Sequence, residues 1–429
     1  MPRAVHPPES TVPASDAQRP ALPQSRRVVF ALMGQVFISM IGTSLVSPIM
    51  PIYAQSFGVT AAAVGGLVTA FGIARILVNV PAGNLGERIG RRPLLVGGLL
   101  ITSVAALLSG LAAEFWQLIV FRFLQGMGSA AQTTTAMISL ADISTDRDRG
   151  RNMSTHQGSL LLGSSVGPAV GGFVADLYGY RSPFFIYALM AFLAAVWAYV
   201  MVPETKGMSG TRARGRLDQT NSGGRRAVRE LLMNPGFLLV SLVTFAIFFT
   251  RSGGRSTVLP LLGYNQLGLS EGQLGFTFTF IALFNVATIS LSGTLCDRYG
   301  RKAVIVPASL LSGVALFLFT LSSSYGLWLV SSAVLGVATG LAGPAPAAYV
   351  ADITVPGRTG LTMGLYRTFG DVGISIGPVL LGWIVDHVGY SEALWTNAVL
   401  FLVSGAAFGL LAKETAGRRV REARAACGG

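Results

Sequence analysis

The sequence repeats itself at a constant offset of 210 residues, a constraint that few folds can accommodate. Gly83, Gly90, Arg91 and Arg92 return as Gly293, Gly300, Arg301 and Lys302. The same shift carries Ala141-Asp142-Ile143 to Ala351-Asp352-Ile353, Gly167-Pro168 to Gly377-Pro378, Asp176 to Asp386 and Glu204-Thr205 to Glu414-Thr415. Correspondences held in one register without a slip mark two homologous halves. In a strongly apolar chain, that duplication points to a membrane transporter whose site lies between the halves.

Hydrophobic residues make up 51% of the chain and charged residues 12%, against about 25% charged in an ordinary soluble domain. Apolar stretches recur near 29–52, 60–83, 93–112, 115–140, 150–175 and 182–201, then near 236–262, 272–292, 303–320, 325–348, 360–385 and 391–412. Each is long enough for a helix to cross roughly 30 Å of hydrocarbon. The predicted fold is an all-α membrane protein, with twelve transmembrane helices in two pseudo-symmetric six-helix bundles.

A net charge of +13 would suit nucleic acid if it formed one patch, but its placement excludes that partner. All but six of the 32 Lys and Arg residues lie in the two tails, the central connection and alternate turns. The six exceptions are Arg75, Arg122, Arg181, Arg251, Arg255 and Arg367. By the positive-inside rule both termini and the central connection are cytoplasmic. The high Arg and Gly content suits the cytoplasmic (inner) membrane of a bacterium. Two cysteines, Cys296 and Cys427, form no disulfide framework. With no zinc spacing, phosphate loop or nucleophile–base cluster, no metal, cofactor or enzymatic chemistry is expected.

Residues 1–27, rich in Pro, Ser and Ala, read as a disordered cytoplasmic tail. Two bundles are expected over 28–201 and 236–412, joined by a linker over 202–235 and followed by a tail over 413–429. Within the linker, 227–235 suggests a short interfacial helix ending before Pro235.

Three motifs resemble those of the major facilitator superfamily, and within it the twelve-helix drug/proton antiporters, over residues 28–412. The hinge after span 2 carries Gly83, Leu85, Arg88, Gly90, Arg91, Arg92 and Pro93, matched after span 8 by Gly293, Leu295, Asp297, Arg298, Gly300, Arg301 and Lys302. The glycines permit a tight turn and the arginines hold it at an anionic inner surface. The resemblance implies that the acidic members, Glu87 and Asp297, latch the halves by facing the positive end of a neighbouring helix. Glu87 stands where the family usually has Asp.

Span 4 carries the second motif, Arg122, Gln125, Gly126 and Gly128. The resemblance gives Arg122 a part in proton coupling; a fixed hydrogen-bond network is the alternative. The third motif, on span 5, is Gly163, Gly167, Pro168, Gly171 and Gly172. Its small residues allow backbones to approach, and Pro168 permits a bend. The resemblance ties this pattern to antiporters; packing alone is the alternative.

The membrane-embedded ionisable residues are Arg75, Arg122, His156, Arg251, Arg255, Arg367 and Asp371. Asp371 lies roughly 16 Å into span 11, near the midplane. Arg367, four residues earlier, shares its face and is placed to pair with it. An aspartate whose partner comes and goes can alternate between charged and neutral forms, whereas a static salt bridge would only brace the span. His156 is a further candidate for titration. Asp142 and Asp352 are expected to gate the transporter by forming ion pairs with the hinges, including Arg88 and Arg298, or the neighbouring Arg149 and Arg358.

For the substrate cavity the candidates are Gln35, Phe71, Gln132, Gln157, Phe249, Arg251, Arg255, Asn285 and Tyr366. Apolar and amide side chains suit an amphipathic molecule, and Arg251, Arg255 and Arg367 admit an anionic group. The expected function is proton-driven export of small amphipathic or lipophilic compounds, drugs among them, by alternating access. The alternative is a symporter or uniporter for a sugar, organic anion or lipid-like metabolite. Substrate, protons and the bilayer are the expected partners, and a monomer suffices.

Overall fold

The computed structural model describes residues 23–144, 148–206, 224–354 and 359–415. The tails 1–22 and 416–429, the linker 207–223, the turn at 145–147 and Arg358 lie outside the described residues. Each described element is helical, as hydrocarbon requires of a backbone that must satisfy its own hydrogen bonds. The first half comprises α1 (Pro23–Leu45), α2 (Met50–Gln55), α3 (Ala61–Ile89), α4 (Arg91–Gly110), α5 (Phe115–Ile143), α6 (Arg149–Tyr178) and α7 (Ser182–Met201). After α8 (Gly224–Leu232) the second half runs through α9 (Pro235–Phe249), a π-helical stretch (Thr250–Val258) and α10 (Leu259–Asn265). It continues with α11 (Glu271–Tyr299), α12 (Lys302–Thr320), α13 (Tyr325–Ala342), α14 (Ala345–Ile353), α15 (Thr359–His387) and α16 (Tyr390–Leu411).

The repeat is visible in how helices begin and end. Thr60 caps α3 by accepting from the Ala63 amide, and Ser270, 210 residues on, caps α11 by accepting from Gln273. Both hydroxyls satisfy a first-turn donor that the helix itself cannot. The α3–α4 and α11–α12 junctions turn on Gly90 and Gly300, with φ of 106° and 105°. A side chain would strain that backbone, so the two hinges demand glycine.

Among the described residues, eleven helical segments are long and apolar enough to cross a membrane. This differs from the twelve expected. The remaining long helix is α5, whose 29 residues include Gln117, Arg122, Gln125, Gln132 and three consecutive threonines. Those polar groups lower its hydropathy, yet α5 packs along both α3 and α4 inside the first half.

The halves meet mainly through α3 against α15 and α6 against α11. Among the described residues, the apolar cores that the halves share lie at one end of the molecule. There, Ile52 and Tyr180 of the first half join a core built on Phe249, Leu262, Trp328 and Phe401, while Leu261 and Tyr390 of the second join Leu45, Tyr53, Leu67 and Phe184. At the opposite end, where the basic hinges lie, one core around Leu32, Leu95, Leu99 and Leu140 belongs to the first half. Another, around Phe237, Ile305, Tyr349 and Phe408, belongs to the second. One end is a shared core and the other is two separate ones.

Candidate functional site

At the shared end, the facing residues obey the 210-residue shift. Gly65 of α3 faces the carbonyl of Pro378 on α15, and a Cβ there would stand 2.8 Å from the Val379 amide nitrogen. Gly275 of α11 faces the carbonyl of Pro168 on α6, and its Cβ would stand 2.9 Å from the Cα of Gly172. Only glycine allows backbones this close. At the outer limit of the contact, Asp386 accepts hydrogen bonds from the amides of Ala61 (2.7 Å) and Ala62 (2.8 Å), and Ser270 Oγ donates to Asp176 at 3.1 Å. Towards the middle, Thr69 Oγ1 donates to the Ser375 carbonyl at 2.7 Å, and the Ala169 amide donates to Thr279 Oγ1 at 3.0 Å.

One turn further in, the same faces of α3 and α15 carry charge. Arg75 lies within Coulombic reach of Arg251, Arg367 and Asp371, and its Nη1 donates to Ser129 Oγ at 2.8 Å. The Phe71 ring lies between two guanidiniums, with Arg122 4.9 Å and Arg75 5.8 Å from its centroid. Arg122 Nη1 donates to Gln125 at 2.8 Å, while its buried Nε has no partner. Arg255 stands over Phe278 at 5.3 Å. Arg251 and Arg367 are exposed at membrane depth, where a charge that is not enclosed by protein faces a watery cavity.

The π-helical stretch presents Arg251 and Arg255. Its wide turns appear in side-chain bonds that span five residues, from Ser256 to the Arg251 carbonyl and from Thr257 to Ser252. Gly253 lies against the backbone of Gly377, and Thr250 donates to Asn397 at 2.7 Å. Packing against α15 and α16 therefore holds this non-α winding in place, and such bulges recur at functional sites.

Several expected cavity residues are elsewhere. Gln35 and Gln132 are buried and bonded to each other at 2.7 Å, with Gln132 also donating to Ser39; they clamp α1 to α5 within the first half. Phe249 is buried in the shared core. Tyr366 is half-buried and bonded to Thr244, and Asn285 to Thr339. Gln157 is exposed and Phe71 half-buried. His156 is buried, and its Nε2 has no partner. Arg367 and Asp371, expected to pair, make no ion pair among the described residues: Arg367 is exposed, and half-buried Asp371 lies in the combined field of Arg367 and Arg75. The span-5 glycines divide between two jobs. Gly163, Gly167 and Gly171 pack on α1, whereas Gly172 packs on α11 across the interface.

The basic hinges supply a partner to each aspartate, as expected, through a different arginine from those named. Asp142 pairs with Arg91 (3.3 Å) and Asp352 with Arg301 (3.1 Å), rather than with Arg88 and Arg298; the Arg149 side chain and Arg358 lie outside the described residues. The side chain that follows each positive-φ glycine folds back along its own half, so both pairs are internal. Asp297 likewise bonds Arg301 at 2.9 Å, while Glu87 and Arg88 are exposed. Among the described residues, neither Glu87 nor Asp297 is bonded to the opposite half, and the two cores are separate at this end. A Cβ at Gly83 or Gly293 would meet open space, and Arg298 stacks over Tyr299 of its own hinge.

Glu204 and Glu414 do work that the motifs did not assign. Glu204 accepts from the amides of Arg91 (2.8 Å) and Arg92 (3.1 Å), and Glu414 from those of Arg301 and Lys302 (both 3.0 Å). Each caps the helix that follows a hinge. Burial alone would push the Glu204 carboxyl up, but the amides of Arg91, Lys206, Arg92 and Thr205 outweigh it and hold it below the usual glutamate value. The signal was present in the exact return of Glu-Thr after 210 residues. Arg75 was legible as an embedded charge, but its partners across the interface were not.

The sequence pattern described as Major Facilitator Superfamily matches residues 32–252 and 244–426. An uncharacterised MFS-type transporter of Methanocaldococcus jannaschii is 26% identical over 88% of this chain and 96% of its own length. Multidrug resistance protein 2 of Bacillus subtilis is 24% identical over 85% of this chain and 90% of its own. Among solved structures, a bacterial homologue of the human lysosomal transporter Spinster, inward-facing and unoccupied, superimposes with a TM-score of 0.75 at 17% identity, covering 91% of this chain and 97% of that one. The human organic anion transporter MFSD10 (TETRAN) does so with a TM-score of 0.62 at 21% identity, covering 91% and 100%.

Proposed function

This chain belongs to the Major Facilitator Superfamily, and from that premise we propose that it moves a small amphipathic organic anion by alternating access, with protons coupled through Asp371. The observation that carries this reading is the charge of the level where the halves part. Arg75, Arg122, Arg251, Arg255 and Arg367 stand there with Asp371 as the mid-span carboxylate. An anion entering this field is stabilised, and a cation is repelled. Half-buried Phe71 supplies an apolar face beside the guanidiniums of Arg75 and Arg122, and buried Phe278 backs Arg255. The fold likeness to an organic anion transporter is consistent with this substrate class.

A second reading, export of drugs in exchange for protons, has its own support. Relatives include a multidrug resistance protein, and α6 carries the glycine and proline pattern of antiporters. In either reading α5 is the twelfth crossing, the basic end faces the cytoplasm of a bacterium by the positive-inside rule, and the molecule works as a monomer. The separated end then opens inward.

Counterflow in proteoliposomes tests both. An inward proton gradient drives labelled anion inward in the first reading and outward against its gradient in the second. Arg367→Gln and Arg251→Gln should raise KM for the anion about tenfold, as loss of a charge-assisted hydrogen bond implies. Asp371→Asn should abolish gradient-driven flux while sparing substrate exchange. Equal transport of cations and anions, unaffected by the arginine substitutions, would overturn the proposal.

A further inference from the structure

We infer that Asp176 and Asp386 hold the charge-poor end shut by each capping the first turn of a helix in the opposite half. The argument begins with the donors that a helix start leaves unsatisfied. In α3, Thr60 Oγ1 takes the Ala63 amide at 3.3 Å. The amides of Ala61 and Ala62 remain, and the two oxygens of Asp386, from α15, take one each at 2.7 and 2.8 Å. One helix start is thus completed by residues from both halves.

The second arm is the counterpart 210 residues away, with changes: a hydroxyl intervenes, and Glu271, whose side chain lies against Asp176, stands where the first arm has Ala61. Ser270 Oγ accepts from the Gln273 amide and donates to Asp176, so this carboxylate reaches the start of α11 through a hydroxyl. Asp176 Oδ2 occupies the space where a Cβ of residue 272 would be, so Gly272 lets the carboxylate lie close to the helix start where the first arm has Ala62. Both carboxylates sit at the positive end of a helix dipole.

Because carboxylate and helix belong to different halves, these bonds exist only while this end is closed. Separating the halves exposes two acids and leaves the Ala61 and Ala62 amides to water. The arms therefore set the balance between the two conformations, without touching substrate. Asp386, with two direct charge-assisted bonds, carries more of that bias than Asp176.

The test uses purified full-length protein in nanodiscs, with both native cysteines replaced by serine. Spin labels are placed on Ala113→Cys and Ser323→Cys, exposed positions at this end on opposite halves. Removing a cap should raise the ratio of long to short label distances about two- to thirtyfold for Asp386→Ala. A smaller rise is expected for Asp386→Asn, which keeps one acceptor, and for Asp176→Ala. Unchanged distances in a variant that retains its melting transition would overturn the inference. Should Asp386→Ala not fold, Asp386→Asn decides: a shift supports the clasp and none refutes it. The readout needs no transported substrate, so it stands or falls separately from the anion reading.

Discussion

Replacing Gly65 with alanine should force the charge-poor end open. The new methyl would meet the Pro378 carbonyl and stand 2.8 Å from the Val379 nitrogen, where ordinary contact begins at 3.4 Å. The obstruction is backbone on a helix, so it cannot swing aside as a side chain would. The Val379 nitrogen alone would require α3 and α15 to part by about 0.6 Å, and the nearer Pro378 carbonyl requires about twice that, an overpacking that costs about 1–3 kcal/mol. That cost applies only to the closed state, so the open population should rise about five- to 150-fold. The assay is alkylation of Thr69→Cys, in a background without native cysteines, by a membrane-impermeant maleimide added from the charge-poor side. Thr69 bonds Ser375 within the closed contact and becomes accessible when the helices part. An unchanged labelling rate in folded Gly65→Ala protein would refute the claim that this contact is the gate.

Two further outcomes follow from the hinges. Asp142→Ala should destabilise the detergent-solubilised protein by about 3 kcal/mol, because both side chains of its pair with Arg91 are nine-tenths buried. Asp352→Ala should cost less, since its pair is more exposed and Arg301 keeps Asp297; melting curves showing the reverse order would contradict this. The depressed pKa of Glu204 adds stability above the unfolded glutamate value of 4.5, which is lost as pH falls through the lower folded value. The difference in melting temperature between the native protein and Glu204→Gln should therefore be largest at neutral pH and vanish in acid.

The duplicated architecture was legible because the 210-residue shift and the alternation of basic connections are both written in the chain. The charged level was partly legible: Arg122, Arg251, Arg255, Arg367 and Asp371 stand out as charges in apolar runs. Which way polar side chains point was not. Gln35 and Gln132 are drawn into a mutual bond by the low dielectric within one half, and no sequence pattern separates that from lining a cavity. The Arg367–Asp371 spacing permits a pair, yet Arg75 from another helix shares the carboxylate's field and the arginine extends to water. The hinges were legible as partners of Asp142 and Asp352, but the individual arginine was not: after Gly90 and Gly300 the chain reverses so tightly that the next arginine, not the preceding one, faces the aspartate. The π-helical winding of Thr250–Val258 depends on Gly377 and Asn397, which lie more than a hundred residues away.

The cores shared by the two halves carry a thermal consequence. Opening that end must hydrate apolar groups such as Ile52, Tyr180, Leu261 and Tyr390, which now lie against the partner half. Hydrating them raises heat capacity, whereas the other end, already built as two finished cores, contributes little. Exchange between the two access states should thus follow a curved van't Hoff plot, with an enthalpy that changes with temperature, even in the absence of cargo.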